Sequence, residues 1–397
     1  MQQGNTRVAY LDWLRILAII GVLLFHSAMA FVAEWGWHIK NKETSYLFME
    51  FNFWLSRFRM PLLFFISGTV SYFMLQSKSA GSFIGLRFRR LFIPLLVGCF
   101  IIVPPQIYLE RVTQGYTGNY FSFYSKVFEF EPYPKGNFSW HHLWFIAYLL
   151  VYDIVFAPVF KWFSSDKGKM ALQRLNFLAK GKWIYLLTLP TVIILTTLSI
   201  KYPTTNDLIH DWCRIFYWLS FVLAGFICIA SPTLMDSLER NRRTSFALAF
   251  LTIMFINYLR WNKHEPSNTN SWTMYAYIAV YAFTAWFWVM TLIGYGKRYL
   301  NKKHRVLNYL NQAVYPFYIL HQTVIVIIVY YVVQTNDTIL LKYLFTLTVS
   351  FAITICVYHL FIRPYAVMRF LFGMKPKEKI TNPIKEDIAM QPASVAI

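Results

Sequence analysis

Three ionisable residues, Asp12, Arg15 and His26, sit in or beside one apolar run, "YLDWLRILAIIGVLLFHSAMAF", residues 10–31. At mid-bilayer an Asp or Arg costs roughly 2.5–3.5 kcal/mol, so such groups usually face a protein interior or a watery cavity and mark function. Eleven positions separate Arg15 from His26. On an α-helix that is three turns plus about 20°, which puts both on one face roughly 16 Å apart along the axis. Asp12, three residues before Arg15, lies on nearly the same stripe and can pair with it. A fixed cation at one depth and an imidazole at another fit an elongated anionic molecule whose reactive end reaches His26. A neutral imidazole, with an unperturbed pKa of about 6.5, is a competent general base near pH 7. The purely structural alternative is an arginine that snorkels to the headgroups beside Asp12, and a histidine bonded to a neighbouring helix.

Further cations and imidazoles occur in later apolar runs. "RFRMPLLFFISG", residues 57–68, places Arg57 and Arg59 inside a run rather than at its flank, which is costly unless they line a polar cavity. In "RFRRLFIP", residues 87–94, Arg87 and Arg90 are one turn apart and could grip phosphates; a basic loop beside a helix also simply encodes topology. "YPFYILHQTVIVII" puts His321 near mid-membrane behind Tyr318, either as part of a polar site or as a packed core residue. "SWHHLWFIAYLL" puts His142 and Trp144 at the outer mouth of a fourth run, an interfacial position by default.

These residues need a membrane scaffold to hold them. The 397 residues are 57% hydrophobic and only 14% charged, far more apolar than a soluble chain of this length. Ten runs near 20 residues long read as spans: 10–33, 46–76, 91–110, 142–163, 183–201, 212–231, 244–261, 273–295, 307–333 and 339–362. The fold class expected is therefore all-α and polytopic, with no internal repeat. Pro61 falls inside the second run and can kink it without breaking it.

The net charge of +20 collects in alternate loops, around Arg87–Arg90, Lys161–Lys182, Arg240–Arg243 and Lys297–Arg305. That pattern places both termini in the cytoplasm and argues against nucleic acid as a partner. The loop 110–141 is rich in Tyr, Phe and Trp, either an interfacial belt or a platform for sugar rings. The apolar run after Arg7 is read as a retained first helix rather than a cleaved signal, because Asp12, Arg15 and His26 flank it. Four cysteines, Cys99, Cys213, Cys228 and Cys356, have neither disulfide-framework nor metal-ligand spacing, and no metal site is expected. Residues 1–374 read as one membrane domain and 375–397 as a disordered cytoplasmic tail.

Taken in order, several of these stretches resemble the membrane-bound acyltransferase family 3, whose members O-acylate extracytoplasmic glycans and other acceptors. The resemblance rests on Arg15 and His26 with ten residues between them, "FFISG" (Phe64–Gly68), the Arg87 and Arg90 pair, and the Tyr318 and His321 element. "RFRMPLLFFISG", "HLWFIAYLL" and "YPFYILHQ" are most similar to the branch that succinylates periplasmic glucans. Where the family often carries a glutamate after the Trp of the fourth span, this chain offers Asp153.

The resemblance implies an acyl-CoA co-substrate, succinyl-CoA or acetyl-CoA, entering from the cytoplasm, and no permanently bound cofactor. Arg87, Arg90 and Arg15 would take its phosphates, with Asp12 as structural partner of Arg15. His26 would act as base on a glycan hydroxyl or carry the acyl group covalently, and His321 and Tyr318 would orient it or stabilise an oxyanion. Arg59, with Arg57, would hold a succinyl carboxylate, and His142 and Trp144 would face the acceptor. A bacterial inner-membrane location follows from the same resemblance; oligomeric state does not. The rival class is a transporter or flippase using buried Arg and His as ligands, which predicts paired broken helices in repeated halves.

Overall fold

A computed structural model describes residues 8–269 and 271–376. Among them the chain is all-helical, with no strand and only isolated bridges at Val32–Ser45 and Pro132–Phe138. Eight helices are long and apolar enough to cross a bilayer. They are α1 (Ala9–Ala28), α2 (Tyr46–Ser77), α3 (Ala80–Thr113), α8 (Trp212–Ala230), α9 (Arg242–Trp261), α10 (Trp272–Tyr299), α11 (Arg305–Val332) and α12 (Ile339–Ile362). Between α3 and α8 lie two bent pairs, α4 (His141–Val155) with α5 (Ala157–Phe163) at 60°, and α6 (Asp166–Ala179) with α7 (Trp183–Leu198) at 120°. Counting each pair as one span gives ten.

The two departures from straight spans have local causes. Pro158 lies in the first turn of α5 and cannot donate the backbone hydrogen bond that would continue α4, and the joint falls at Phe156, which leaves helical geometry. In α7 the first stretch, Trp183–Thr188, is 3₁₀ and regular helix starts only at Leu189 with Pro190 behind it. The bent pairs are adjacent in the chain, not at matching positions of two halves. By contrast Pro61 and Pro316 lie inside the continuous helices α2 and α11.

α3 begins earlier than the apolar run from residue 91, because Ser79 caps it through the Ser82 amide. It contains two π-turns, Phe88–Phe92 and Gly98–Ile102. α1 lies at the centre of the bundle, packed against α2, α10, α11 and α12. The tightest helix pair is α2 with α8: a Cβ on Gly68 would meet the Val222 carbonyl oxygen at 1.9 Å, and one on Gly225 would meet that of Phe65 at 1.9 Å. Small residues here let two backbones touch, as in other membrane helix pairs. The expected tail falls almost wholly outside the described residues.

Candidate active site

His26, in the last turns of α1, meets His321 of α11 across the middle of the chain's fold. His26 Nδ1 is 2.8 Å from His321 Nε2, with the rings 10° from parallel. His321 Nδ1 lies 2.6 Å from the carbonyl oxygen of Tyr318. A carbonyl only accepts, so the network assigns the proton of neutral His321 to Nδ1 and makes its Nε2 an acceptor. His26 Nδ1 must then donate to it, which leaves the His26 lone pair on Nε2. One imidazole thus sets the tautomer and aim of the other, the arrangement by which a buried partner orients a general base.

Tyr318 joins this unit through its backbone. Its hydroxyl donates to the carbonyl of His142, and His142 Nε2 donates to the Ile319 carbonyl at 3.0 Å. The two bonds strap the mouth of α4 to α11 and set the His142 ring edge-on to His321 at 5.2 Å. Trp144, two residues past His142, packs in an aromatic cluster with Trp218 and Phe64 at 5.5 and 6.1 Å. Arg59 lies over the ring of Phe25, the neighbour of His26, at 3.5 Å, and its Nε is buried without a hydrogen-bond partner. Arg57 is engaged elsewhere, stacked between Phe53 and Tyr281 and bonded to Ser56 at 2.9 Å.

At the other end of α1 a cavity of about 1230 Å³ opens between α1, α2, α3 and α11. Arg15, Lys78, Arg90, Arg363, Arg369 and Lys375 line it, with Asp12 among them. Arg15 bridges Asp12 at 3.0 Å and Asn311 of α11 at 2.5 Å, so its charge is held at the wall. Val8 and Lys375 both line this cavity, which brings the two ends of the described chain to one end of the bundle. A cationic, partly apolar cavity of this size suits a large polyanion with a flexible apolar arm.

Arg87 and Arg90 are not brought together at this cavity. Arg90 lines the cavity, whereas Arg87 is buried in an ion pair with Asp153, whose other oxygen accepts from Ser71 at 2.9 Å. The π-turn that begins at Phe88 is the reason: its wider turn spreads residues three apart that an α-helix would stack on one face.

A second polar group, not apparent from the sequence, lies at the end of the bundle that carries the 110–141 loop. His38, Glu110 and His141 come together there, and Gln322, the neighbour of His321, reaches His38 Nε2 at 3.2 Å. Its members come from three separate segments 72 and 31 residues apart, with no short motif to reveal them. The aromatic loop packs on itself, as in Phe130 against Phe138 at 5.3 Å, and on α3, as in Tyr120 against Tyr108 at 5.3 Å and Phe128 against Phe100 at 5.7 Å.

A family model described as an acyltransferase domain (Acyl_transf_3) matches residues 8–359. Curated relatives include the glucans biosynthesis protein C of Salmonella paratyphi B (strain ATCC BAA-1250 / SPB7) and that of Salmonella enteritidis PT4 (strain P125109). Each is 23% identical over 382 residues, covering 94% of this chain and 96% of the relative. The protein of Salmonella agona (strain SL483) is 23% identical over 387 residues. A multi-pass helical bundle with paired imidazoles at its centre, matched along nearly its whole length by one family model, belongs to the acyltransferase 3 family.

Proposed function

We propose that the protein is a transmembrane O-acyltransferase that moves a succinyl or acetyl group from cytoplasmic acyl-CoA to a hydroxyl of an extracytoplasmic glycan, in a bacterial inner membrane. The observation that carries the reading is the His26–His321–Tyr318 series, which leaves one aimed lone pair on His26 Nε2. In this mechanism His26 takes the proton of the acceptor hydroxyl, and the alkoxide attacks the thioester carbonyl. The tetrahedral intermediate then collapses, breaking the C–S bond, and the thiolate leaves with the proton. His321 keeps the base in the productive tautomer and shares its positive charge.

The donor would lie in the cationic cavity, its phosphates near Arg90 and Arg15 and its pantetheine arm running along α1 toward His26. The basic loops described above support an orientation with this cavity and both termini on the cytoplasmic side. Arg59 favours succinyl over acetyl: it stands beside Phe25 with an unsatisfied buried Nε, which a carboxylate would satisfy. The glucan-related names of the relatives point to a glucan acceptor.

The test is free-thiol release by the purified protein in nanodiscs, offered succinyl-CoA or acetyl-CoA with an extracted periplasmic glucan. Succinyl-dependent release that requires the glucan is the expected result. Absence of acyl-CoA binding of either kind would sink the reading.

A further inference from the structure

We propose that His38, Glu110 and His141 form a binding site for one divalent transition-metal ion, zinc by the character of the donor set. A ligand atom from each lies within 4.8 Å of the others. Two imidazoles and a carboxylate, with a fourth position left over, are a donor set that zinc takes readily. His38 and Glu110 are nearly enclosed, with side chains 8% and 5% exposed.

Two independent features point to an ion rather than to a chance polar cluster. The first is the Nε2 of His141, which is shut off from solvent and has no hydrogen-bond partner. A buried imidazole nitrogen left this way costs free energy, and a metal ion is the partner its lone pair suits. The second is the set of outer contacts. Glu110 Oε1 accepts from the Tyr133 hydroxyl at 2.7 Å, His38 Nε2 faces the Gln322 amide at 3.2 Å, and His141 Nδ1 faces Ser139 Oγ at 3.2 Å. Each residue is thus held by its outer atom, leaving Glu110 Oε2, His38 Nδ1 and His141 Nε2 for the ion. Metal ligands are oriented in this way.

Without the ion, His38 Nδ1 and Glu110 Oε2 hydrogen bond to each other. Binding replaces that bond: the His38 proton moves from Nδ1 to Nε2, and the Gln322 amide, which now donates to Gln106 Oε1 at 3.0 Å, turns its oxygen to accept it as the Gln106 amide turns with it. Arg111 holds its guanidinium on Asn137 and on the carbonyls of Pro134 and Gly136; its charge acts against a second cation here, and the Glu110 carboxylate supplies the compensating negative charge. The ion would tie three segments together: the loop after α1, the end of α3 and the start of α4. It would also fix Gln322, next to the His321 that orients His26. This inference is independent of the acyl-transfer reading, since it concerns metal content alone.

The experiment uses the full chain in detergent, purified on a tag without histidine, stripped with chelator, loaded with Zn²⁺ and desalted. Bound zinc is then measured by elemental analysis. About one ion per chain is expected, falling below about 0.2 in His141→Ala and in Glu110→Gln, with chelator lowering the Tm of the parent protein only. Glu110→Gln keeps the shape and the Tyr133 contact, so it still reports if His141→Ala fails to fold by size exclusion and circular dichroism. A folded parent protein holding less than about 0.2 zinc, or a zinc content unchanged in both variants, would overturn the proposal.

Discussion

At the scale of single residues, the pairing of His26 with His321 makes a sharper demand than a lone buried histidine would. His26→Ala should lower turnover by about 10²–10⁴-fold in the thiol-release assay, the usual contribution of a general base, with donor affinity retained. His321→Ala should cost about 10²-fold or more in kcat with little change in donor KM, because it removes the group that sets the tautomer of the base. A KM effect alone would return His321 to a packing role. Arg90→Ala should act in the opposite sense, weakening donor binding about 10- to 100-fold, the scale of one charge-assisted hydrogen bond, with kcat unchanged.

That Arg15 and His26 share a face turned toward the protein interior was legible from helical periodicity and the cost of burying charge, and both meet α11. Their partners were not, because Asn311 and His321 lie 296 and 295 residues further along, and only packing brings them near. Arg87 shows the converse. Its spacing from Arg90 matches a phosphate grip on an ideal helix, but the π-turn turns it onto Asp153.

At the scale of elements, the same buried pair fastens α3 to α4. Replacing Asp153 by Asn leaves Arg87 buried without its counter-charge, a loss of roughly 3–5 kcal/mol for a broken buried ion pair. It should appear as a lowered Tm or reduced yield rather than as a changed donor KM. The "FFISG" stretch has its own structural reading: Phe64 and Phe65 are fully buried and Gly68 touches the backbone of α8. Gly68→Ala and Gly225→Ala should each destabilise by at least about 1–3 kcal/mol, the cost of overpacking, because the atoms in the way are backbone and cannot swing aside. Thermal unfolding in detergent would measure both. Most long helices matched their apolar runs closely, since hydrophobic length is what a bilayer selects. Residues 142–163 and 183–201 read as spans by composition yet bend or tighten locally, because hydropathy averages are blind to Pro158 and Pro190.

At the scale of the whole molecule, the proposed chemistry joins two compartments. The cationic cavity sits at the end of the bundle shared by both ends of the described chain, and the imidazole pair lies further along α1. Reporter fusions at either terminus should report the cytoplasm, and labelling of a cysteine placed at Lys78 should be blocked by acyl-CoA added from that side only.

The imidazole series ends on the Tyr318 carbonyl, an oxygen that accepts a hydrogen bond but passes no proton onward. A proton lifted from an acceptor on one side of the membrane therefore has no exit through His321 and departs with the thiol on the other. In the proposed orientation the inward proton exchanges for an outward acyl group, so acetyl transfer is electroneutral, whereas a succinyl group carries one negative charge outward. That movement runs with an interior-negative potential, by about 2.3 kcal/mol per 100 mV. Succinylation of the glycan would then be coupled to membrane voltage, and in proteoliposomes its free energy should respond to an imposed potential with a succinyl donor and not with an acetyl one.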